Sequence, residues 1–221
     1  YLALPLRLLI SAFVAVLSRT DLGRVVVAAT TSHDTAAAEQ PWGVDTLPFR
    51  GAHQSGVETP AQAHAWFVAL DLVEGADRDA LARLLALWTD DIERLMSGRG
   101  ALADQERELA GVPARLTATV GVGASLFARL GLEAHRPPSL RPLPAFATDR
   151  LDPRWGEADL LLQVGADDLL TVAHAVRVLT RDVRSIATVR WTQRGFGRAR
   201  GSVPSGETPR NLLGQVDGTV N

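Results

Sequence analysis

The sequence predicts an α+β fold in which one antiparallel sheet carries two helices on the same face. Two observations lead to this prediction. A strand pattern followed by an amphipathic helix occurs twice, and the second copy starts about ninety residues after the first. Each copy is then followed by a further strand-like run. The resulting order, β-α-β-β-α-β, is the ferredoxin-like arrangement.

The first unit starts at residues 64–73, HAWFVALDLV, where large apolar residues alternate with a mixed second face, as in a half-buried strand. Asp77 follows a Gly-Ala turn and is placed to be the N-cap of a helix. This helix is predicted to end near 97–100, and residues 115–123, RLTATVGVG, supply the next strand. The apolar stripe of the helix is predicted to consist of Leu81, Leu84, Leu85, Trp88, Ile92 and Leu95.

The second unit repeats this pattern at residues 160–179, LLLQVGADDLLTVAHAVRVL, with a strand, a Gly-Ala-Asp turn and an amphipathic helix. Residues 185–196, SIATVRWTQRGF, supply the final strand. An insertion at 124–157 lies between the units. Its part rich in proline and arginine, 136–157, is predicted to be a surface flap.

The chain before the repeat divides into two parts. Residues 8–17, LLISAFVAVL, are too few to span a bilayer, but they suit the central region of an export signal. A helix that starts the fold is the alternative. Residues 41–63 have no helical or strand period and predict an extended lead-in. We therefore divide the chain into an export-like segment with linker, 1–42, and a folded domain, 43–221. An exported protein is expected, with a cytoplasmic one as the alternative.

The composition excludes several classes of function. With 46% hydrophobic and 22% charged residues, the chain is typical of a globular protein. A net charge of −2 gives no general attraction to nucleic acid or to an anionic membrane. The chain has no cysteine, which excludes disulfides, thiolate nucleophiles and cysteine-held zinc or iron–sulfur centres. We therefore expect no nucleic-acid partner and, with an apolar run of only ten residues, no stable membrane span; a homo-oligomer stays open.

Two local patterns have both a functional and a structural interpretation. The glycines of GVGAS at 121–125 stand between a strand and a helix, as in a phosphate-binding turn. The rest of a dinucleotide-binding fingerprint is missing, so a tight structural turn is favoured. His174 lies beside the apolar stripe of the second helix, where a metal or haem ligand is conceivable. A packed, hydrogen-bonded core histidine is favoured there.

The end of the chain carries the motif of a known family. GQVDG at 214–218 matches the pattern GxxDG, and TPRN at 208–211 comes shortly before it. These stretches, LPFRGAHQSGVETPAQA at 47–63 and the duplicated sheet pattern stand in the order found in the dye-decolorizing peroxidases. Over residues 43–221, the chain resembles the N-terminal half of the exported, deferrochelatase-like branch of that family.

The resemblance implies a haem b protein in which two ferredoxin-like halves form a dimeric α/β-barrel. It also implies an enzyme that uses hydrogen peroxide to oxidise a small molecule such as a dye, a phenol or a porphyrin. Asp217 would be the distal acid/base, relaying a proton between the two oxygens of peroxide above the iron. Asp217, Gly218 and Thr219 would line the haem. The alternative for Asp217 is a turn aspartate that bonds its own backbone.

The resemblance further implies two residues that this chain does not supply. A proximal histidine and a distal arginine are expected beyond residue 221, so we assign no metal ligand within the chain and expect it to be inactive alone. The alternative hypothesis is a non-catalytic ferredoxin-like domain that binds haem or serves as an interaction module. For Trp42, Trp155 and Trp191, packing is favoured over a role as electron relays to bulky substrates, unless the side chain is exposed.

Overall fold

The computed structural model describes residues 42–142, 144–204 and 206–216. Within these ranges lie four strands, three α-helices and short 3-10 helices at Arg107–Gly111, Glu133–His135 and Pro153–Trp155. In chain order, the strands and α-helices are β1 (His64–Leu72), α1 (Arg78–Met96), β2 (Thr117–Val122), α2 (Ala124–Arg129), β3 (Leu160–Ala166), α3 (Leu169–Asp182) and β4 (Ala187–Phe196).

Two sets of predicted features lie outside the described residues. One is the export-like segment 1–42, apart from Trp42, and the other is the motif residues Asp217, Gly218 and Thr219. The division of the chain at residue 43 therefore stays a prediction. Among the residues that are described, no helix is both long and apolar enough to cross a bilayer.

The four strands form one antiparallel sheet in the order β2-β3-β1-β4. β1 pairs with β3 from His64 opposite Ala166 to Leu70 opposite Leu160, and it pairs on its other side with β4. The first strand of each unit therefore lies at the centre of the sheet, and the second strand of each unit lies at an edge. This connectivity confirms the predicted ferredoxin-like fold.

Both long helices begin at an aspartate N-cap. Asp77 accepts a hydrogen bond from the Ala80 amide at 2.7 Å, as predicted, and Asp168 accepts one from the Thr171 amide at 2.8 Å. Amide groups in the first turn of a helix have no backbone partner, so each cap stabilises the fold by about 1 kcal/mol.

The two Gly-Ala-Asp stretches differ in structure although their letters match. Gly75 lies in the turn after β1, whereas Gly165 is still paired within β3. The cap of α3 is consequently the next residue, Asp168, and not Asp167. Asp167 instead accepts a hydrogen bond from Arg115 Nη1 at 3.0 Å. The predicted turn is therefore displaced by one residue in the second unit.

Trp88 holds the two long helices together over the sheet. Its side chain is 1% exposed, and its indole Nε1 donates a hydrogen bond to the carbonyl oxygen of Leu179 at 3.0 Å. The predicted stripe of α1 is buried except for Leu85, which is half-buried. The central side chains of the core are Val68, Leu70, Leu84, Trp88, Leu95, Leu116, Leu160, Leu162, Val164, Val172 and Leu179.

The GVGAS stretch is a structural turn, as the sequence favoured. Gly123 is the N-cap of α2, and a Cβ at this position would overlap the carbonyl oxygen of Ala158. The adjacent Asp159 is 2% exposed and accepts hydrogen bonds from the Leu72 amide at 2.9 Å and the Ser125 hydroxyl at 2.6 Å. Close packing between α2 and the approach to β3 therefore requires the glycine.

Residues 136–157 of the insertion form a surface flap, as predicted. Most described residues of 136–157 are exposed. The end of the flap is attached to β4, where Arg190 Nη2 donates to the Pro153 carbonyl at 3.0 Å. Trp191 Nε1 likewise donates to the Gly156 carbonyl at 2.9 Å.

A pair of acidic side chains lies between the two long helices. Asp182, the last residue of α3, is half-buried, and burial followed by repulsion from Asp91 of α1 raises its pKa from 3.8 to about 6. The Oδ2 atoms of Asp91 and Asp182 have no hydrogen-bond partner among the described residues. Because the folded state holds the proton more tightly than the unfolded state, this group favours folding at low pH. That contribution is lost as the pH rises from about 4 through about 6.

We expect Gly123→Ala to lower the free energy of unfolding by about 2 kcal/mol or more, because the added methyl group overlaps backbone that cannot move freely. Urea denaturation measures this change. Gly111→Ala is the matched control, since a Cβ there meets no atom within 4 Å, and it should change stability by less than about 1 kcal/mol. Equal stability of the two variants would contradict the packing role of Gly123.

We also expect Asp182→Asn to stabilise the chain at pH 7 and to reduce the dependence of its stability on pH. A pKa shift of about two units corresponds to about 3 kcal/mol. Because Asp182 is half-exposed and solvent screens its charge, we expect about 1 kcal/mol. Urea denaturation between pH 4 and pH 7 measures the effect. Asp90→Asn changes an exposed neighbour of Asp91 and should leave the pH profile unaltered. An identical profile in both variants would show that Asp182 is not the group involved.

Candidate functional site

The described part of the motif region is a closed turn at residues 210–216. Arg210 and Val216 form an isolated antiparallel bridge. The Asn211 amide donates to the Gln215 carbonyl at 2.8 Å, and the Gly214 amide donates to the Asn211 carbonyl at 2.9 Å. The two ends of the turn are therefore adjacent, and the chain leaves the turn at Val216, directly before Asp217.

Side chains of the turn reinforce its backbone bonds. Asn211 Oδ1 accepts from the Leu213 amide at 3.0 Å and from the Gln215 amide at 3.1 Å. Arg210 Nη1 donates to the Gly214 carbonyl at 2.8 Å. Gly214 has a φ of +79°, a left-handed conformation that favours glycine. The first glycine of GxxDG is therefore required by the shape of the turn.

The tip of this turn exposes apolar side chains. Leu212 and Leu213 are each 86% exposed, and Val216 is about half-exposed. Exposed apolar residues that stand together mark a surface suited to contact with another apolar group. The turn thus offers apolar surface in the residues that directly precede Asp217 in the chain. The aspartate itself and its neighbours Gly218 and Thr219 lie outside the described residues, so their roles stay predictions.

The run between β4 and the turn is attached to the lead-in. The Gly197 amide donates to the Ala63 carbonyl at 2.8 Å. Arg200 forms an ion pair with Asp45, and the hydrogen bond to this carboxylate raises the pKa of the Arg200 guanidinium above its ordinary value. These contacts connect residues that lie far apart in the chain, and they hold the start of the run that leads to the motif.

The LPFRGAHQSGVETPAQA stretch clamps the edge of the sheet. The side-chain amide of Gln54 donates from Nε2 to the Val120 carbonyl at 2.9 Å and accepts at Oε1 from the Val120 amide at 3.0 Å. Gln62 Nε2 donates to the Thr117 hydroxyl at 2.9 Å. Gln54 therefore takes the place of a neighbouring strand on β2, whose edge groups need partners. Among the described residues, this family stretch therefore has a structural role, which is to bond to the edge strand β2.

The described histidines do not form a haem ligand set. His53 and His135 are exposed, His64 is half-buried at the start of β1, and His33 lies outside the described residues. His174 is buried, with its side chain 1% exposed and its Nε2 atom 3.1 Å from Asp104 Oδ2. An axial ligand must present a ring nitrogen to the cofactor, and His174 is enclosed in the core. The predicted burial is confirmed, and this enclosure argues against a haem ligand. The predicted hydrogen bond is not found at Nε2 among the described residues, so the metal-ligand alternative stays open.

The tryptophans divide between packing and exposure. Trp88 is fully buried, and Trp66 is half-buried under the guanidinium of Arg194, which lies 3.8 Å from the ring centroid. Trp42 is 89% exposed and Trp155 is 55% exposed, with the ring of Trp155 6.3 Å from that of the half-buried Trp191. The packing interpretation is therefore wrong for Trp42, and the electron-relay role of these residues stays a prediction.

The sequence reasoning missed the buried acidic residues, and two of them, Asp159 and Asp104, join distant parts of the chain. Asp159 connects β1, α2 and the start of β3, and Asp104 lies against His174. Each contact joins residues far apart in the chain, and neither aspartate belongs to a periodic pattern. The single available signal was an acidic residue next to a predicted strand for Asp159, which also fits an ordinary loop.

The comparisons with known proteins agree with this geometry. The family model described as "Dyp-type peroxidase, N-terminal" matches residues 54–197. This range runs from Gln54, which clamps β2, to Gly197, directly after β4. It therefore covers the whole described sheet together with both long helices.

Two curated relatives are similar over most of the chain. The dye-decolorizing peroxidase of Thermobifida fusca is 40% identical over 178 residues, which cover 77% of this chain and 41% of the relative. The deferrochelatase of Yersinia pseudotuberculosis is 38% identical over 185 residues, which cover 79% of this chain and 42% of the relative. The chain thus spans less than half the length of these relatives.

A solved structure gives the same result. The crystal structure of a DyP-type peroxidase from Cellulomonas bogoriensis matches with a TM-score of 0.77 and 53% identity, covering 81% of this chain and 50% of that one. The family model describes an N-terminal domain, and the curated relatives and this structure are each matched over half of their length or less. On these grounds the chain belongs to the Dyp-type peroxidase family, of which it represents the N-terminal half.

Proposed function

We propose that this chain supplies the distal part of a haem-dependent peroxidase that uses hydrogen peroxide to oxidise dyes, phenols or porphyrin-type compounds. The observation that carries the proposal is the closed turn at 210–216, which leads directly into the aspartate of GxxDG. One curated relative is named a dye-decolorizing peroxidase and another a deferrochelatase. The first name supports dyes as substrates, and the second supports a role towards haem itself.

Asp217 is the residue that we propose as the distal acid/base. Haem b would supply the redox-active iron at which peroxide is reduced. The carboxylate of Asp217 would accept the proton of one peroxide oxygen and return it to the other oxygen, which then leaves as water. The reaction requires that this carboxylate be ionised when peroxide arrives. A fixed position is equally required, because proton transfer works over hydrogen-bond distances.

The turn is suited to fixing that position. Its backbone is closed by hydrogen bonds at both ends, and Asn211 holds two further amides. Gly218 would allow the backbone to approach a flat cofactor closely, and Thr219 would lie beside it. The exposed side chains of Leu212 and Leu213 would meet an apolar surface of the cofactor or of the other half of the protein.

Two roles of the family are left without a residue in this chain. Arg210 already donates to the Gly214 carbonyl, so we do not assign it as the distal arginine. We assign no histidine as the axial ligand, since the buried His174 contacts Asp104. We propose that residues in the other half of the protein fill both roles. We also propose that the protein is exported and that its substrates are hydrogen peroxide and a small-molecule reductant.

In the haem-loaded full-length product of the gene, we expect Asp217→Asn to slow the reaction with hydrogen peroxide about a hundredfold or more. The amide cannot accept and return the proton, and a positioned acid/base contributes about 10²–10⁴-fold. Stopped-flow absorption measures the rate, and an unchanged Soret band in the resting protein shows that haem is still bound. Glu74→Gln, at an exposed position before α1, is the control and should react at the original rate. A normal rate in Asp217→Asn would exclude the proposed role.

We expect Asn211→Ala to loosen the turn in this chain. The variant removes one acceptor of two backbone amides, so the amides of Leu213 and Gln215 should exchange with solvent about tenfold faster. Hydrogen exchange followed by NMR measures each amide separately. Leu212→Ala is the control, because this side chain is 86% exposed, and it should leave both exchange rates unaltered. Equal rates in the two variants would contradict the positioning role of Asn211.

A further inference from the structure

A cluster of three possible metal ligands lies away from the motif region. Asp104 and Glu106 belong to the loop that follows α1, and His174 lies on the buried side of α3. One ligand atom from each residue lies within 4.8 Å of the other two. The cluster therefore joins a loop of the first unit to the helix of the second.

The two buried side chains of the cluster, Asp104 and His174, do not form an ordinary hydrogen bond with each other. His174 Nε2 and Asp104 Oδ2 are 3.1 Å apart, and the two side chains are 1% and 0% exposed. Neither atom has a hydrogen bond of ordinary geometry to any residue that the structure describes. Buried polar atoms without a hydrogen bond are costly, so a pair of them requires an explanation.

A shared cation accounts for this geometry. Ligands that lie about 2.0–2.1 Å from a tetrahedral Zn²⁺ ion are about 3.3 Å from each other. The observed separation of 3.1 Å is close to that value. A nitrogen and an oxygen at this distance, without a hydrogen bond of ordinary geometry between them, have the spacing of two ligands of one ion.

Glu106 is suited to be the third ligand. It is half-buried, and its Oε2 atom accepts from Arg177 Nη2 at 2.9 Å, which leaves the second carboxylate oxygen available. This side chain is also the part of the cluster that solvent can reach. A cation would therefore enter from the side of Glu106 and meet the buried pair behind it.

Arginine side chains hold the loop in place around the cluster. Arg107 donates from Nε to the Asp104 carbonyl at 3.2 Å and from Nη2 to the Leu102 carbonyl at 2.8 Å. Arg181 Nη2 donates to the Ala103 carbonyl at 3.0 Å. The backbone that carries the ligands is therefore fixed by contacts that do not involve the cation, as a preformed site requires.

We propose that Asp104, Glu106 and His174 form a Zn²⁺ site that links the loop after α1 to α3. One imidazole and two carboxylates suit Zn²⁺, whereas Mg²⁺ and Ca²⁺ prefer sites made of oxygen alone. Two carboxylates also balance the charge of the ion. The fourth position is open to water on the side of Glu106. The site does not depend on haem or on the proposed peroxidase function.

The test is a zinc titration of this chain after its metal has been removed with a chelator and the chelator has been dialysed away. Zinc sulfate is added in competition with a chromophoric zinc indicator, and thermal unfolding is recorded with and without zinc. We expect one equivalent of Zn²⁺ per chain and a higher Tm with zinc, because a ligand that binds the folded state stabilises it.

Variants decide whether the cluster is the site. Glu106→Gln should weaken zinc binding at least about tenfold and lose the increase in Tm, because it removes a ligand. Its surface ion pair with Arg177 contributes little to folding, so this variant should stay folded. Glu108→Gln, at an exposed position in the same segment, is the control and should bind as the original chain does. His174→Gln should lose binding too; if it fails to fold, Glu106→Gln decides.

Two results would overturn the proposal. One is the absence of stoichiometric binding at micromolar zinc, which would identify Asp104 and His174 as a buried ion pair alone. The other is equal affinity in Glu106→Gln and in the original chain, which would place the bound zinc elsewhere. Because the titration uses no haem, either result leaves the peroxidase proposal as it stands, and a failed peroxidase test leaves the zinc site as it stands.

Discussion

The contact between Trp88 and the last turns of α3 is the interaction on which the rest of the domain depends. The indole is completely enclosed, and its N–H group donates to the Leu179 carbonyl at 3.0 Å. Each helix follows a central strand of the sheet, so this contact closes both units over one face. The lead-in and the flap are attached to the two edge strands, where Gln54 bonds to Val120 of β2 and Arg190 of β4 bonds to Pro153.

Much of this arrangement could be predicted from the sequence, because it rests on local patterns. The alternation of apolar residues around Val68 and Leu70 indicates which face of β1 is buried, and the apolar stripe around Trp88 does the same for α1. The N-cap Asp77 is also a local feature, because it bonds to an amide only three residues further along the chain. The displaced cap at Asp168 could not be predicted. The position of this cap depends on the residue at which β3 stops pairing with β1. The Gly-Ala-Asp sequence does not indicate where that pairing ends.

The candidate site was predicted by a different route. The importance of Asp217 came from the family motif, since an aspartate before a glycine is by itself a common turn. The structure adds a physical reason for the first half of the motif, where Gly214 adopts a left-handed conformation inside a turn held by Asn211. Contacts such as Asp104 with His174, or Gln54 with Val120, could not be predicted, because no pattern in the sequence links their two partners.

We propose that this domain serves a haem enzyme, and the visible absorption spectrum of the full-length protein reports most directly whether haem is bound. The full-length product of the gene should be purified without added haem, with haem supply in the host sufficient. We expect a strong Soret band corresponding to about one haem per chain. A protein that shows no Soret band, and that still shows none after hemin is added and the unbound excess is removed, would contradict the claim. The turn before Asp217 would then be a structural feature without a cofactor to serve.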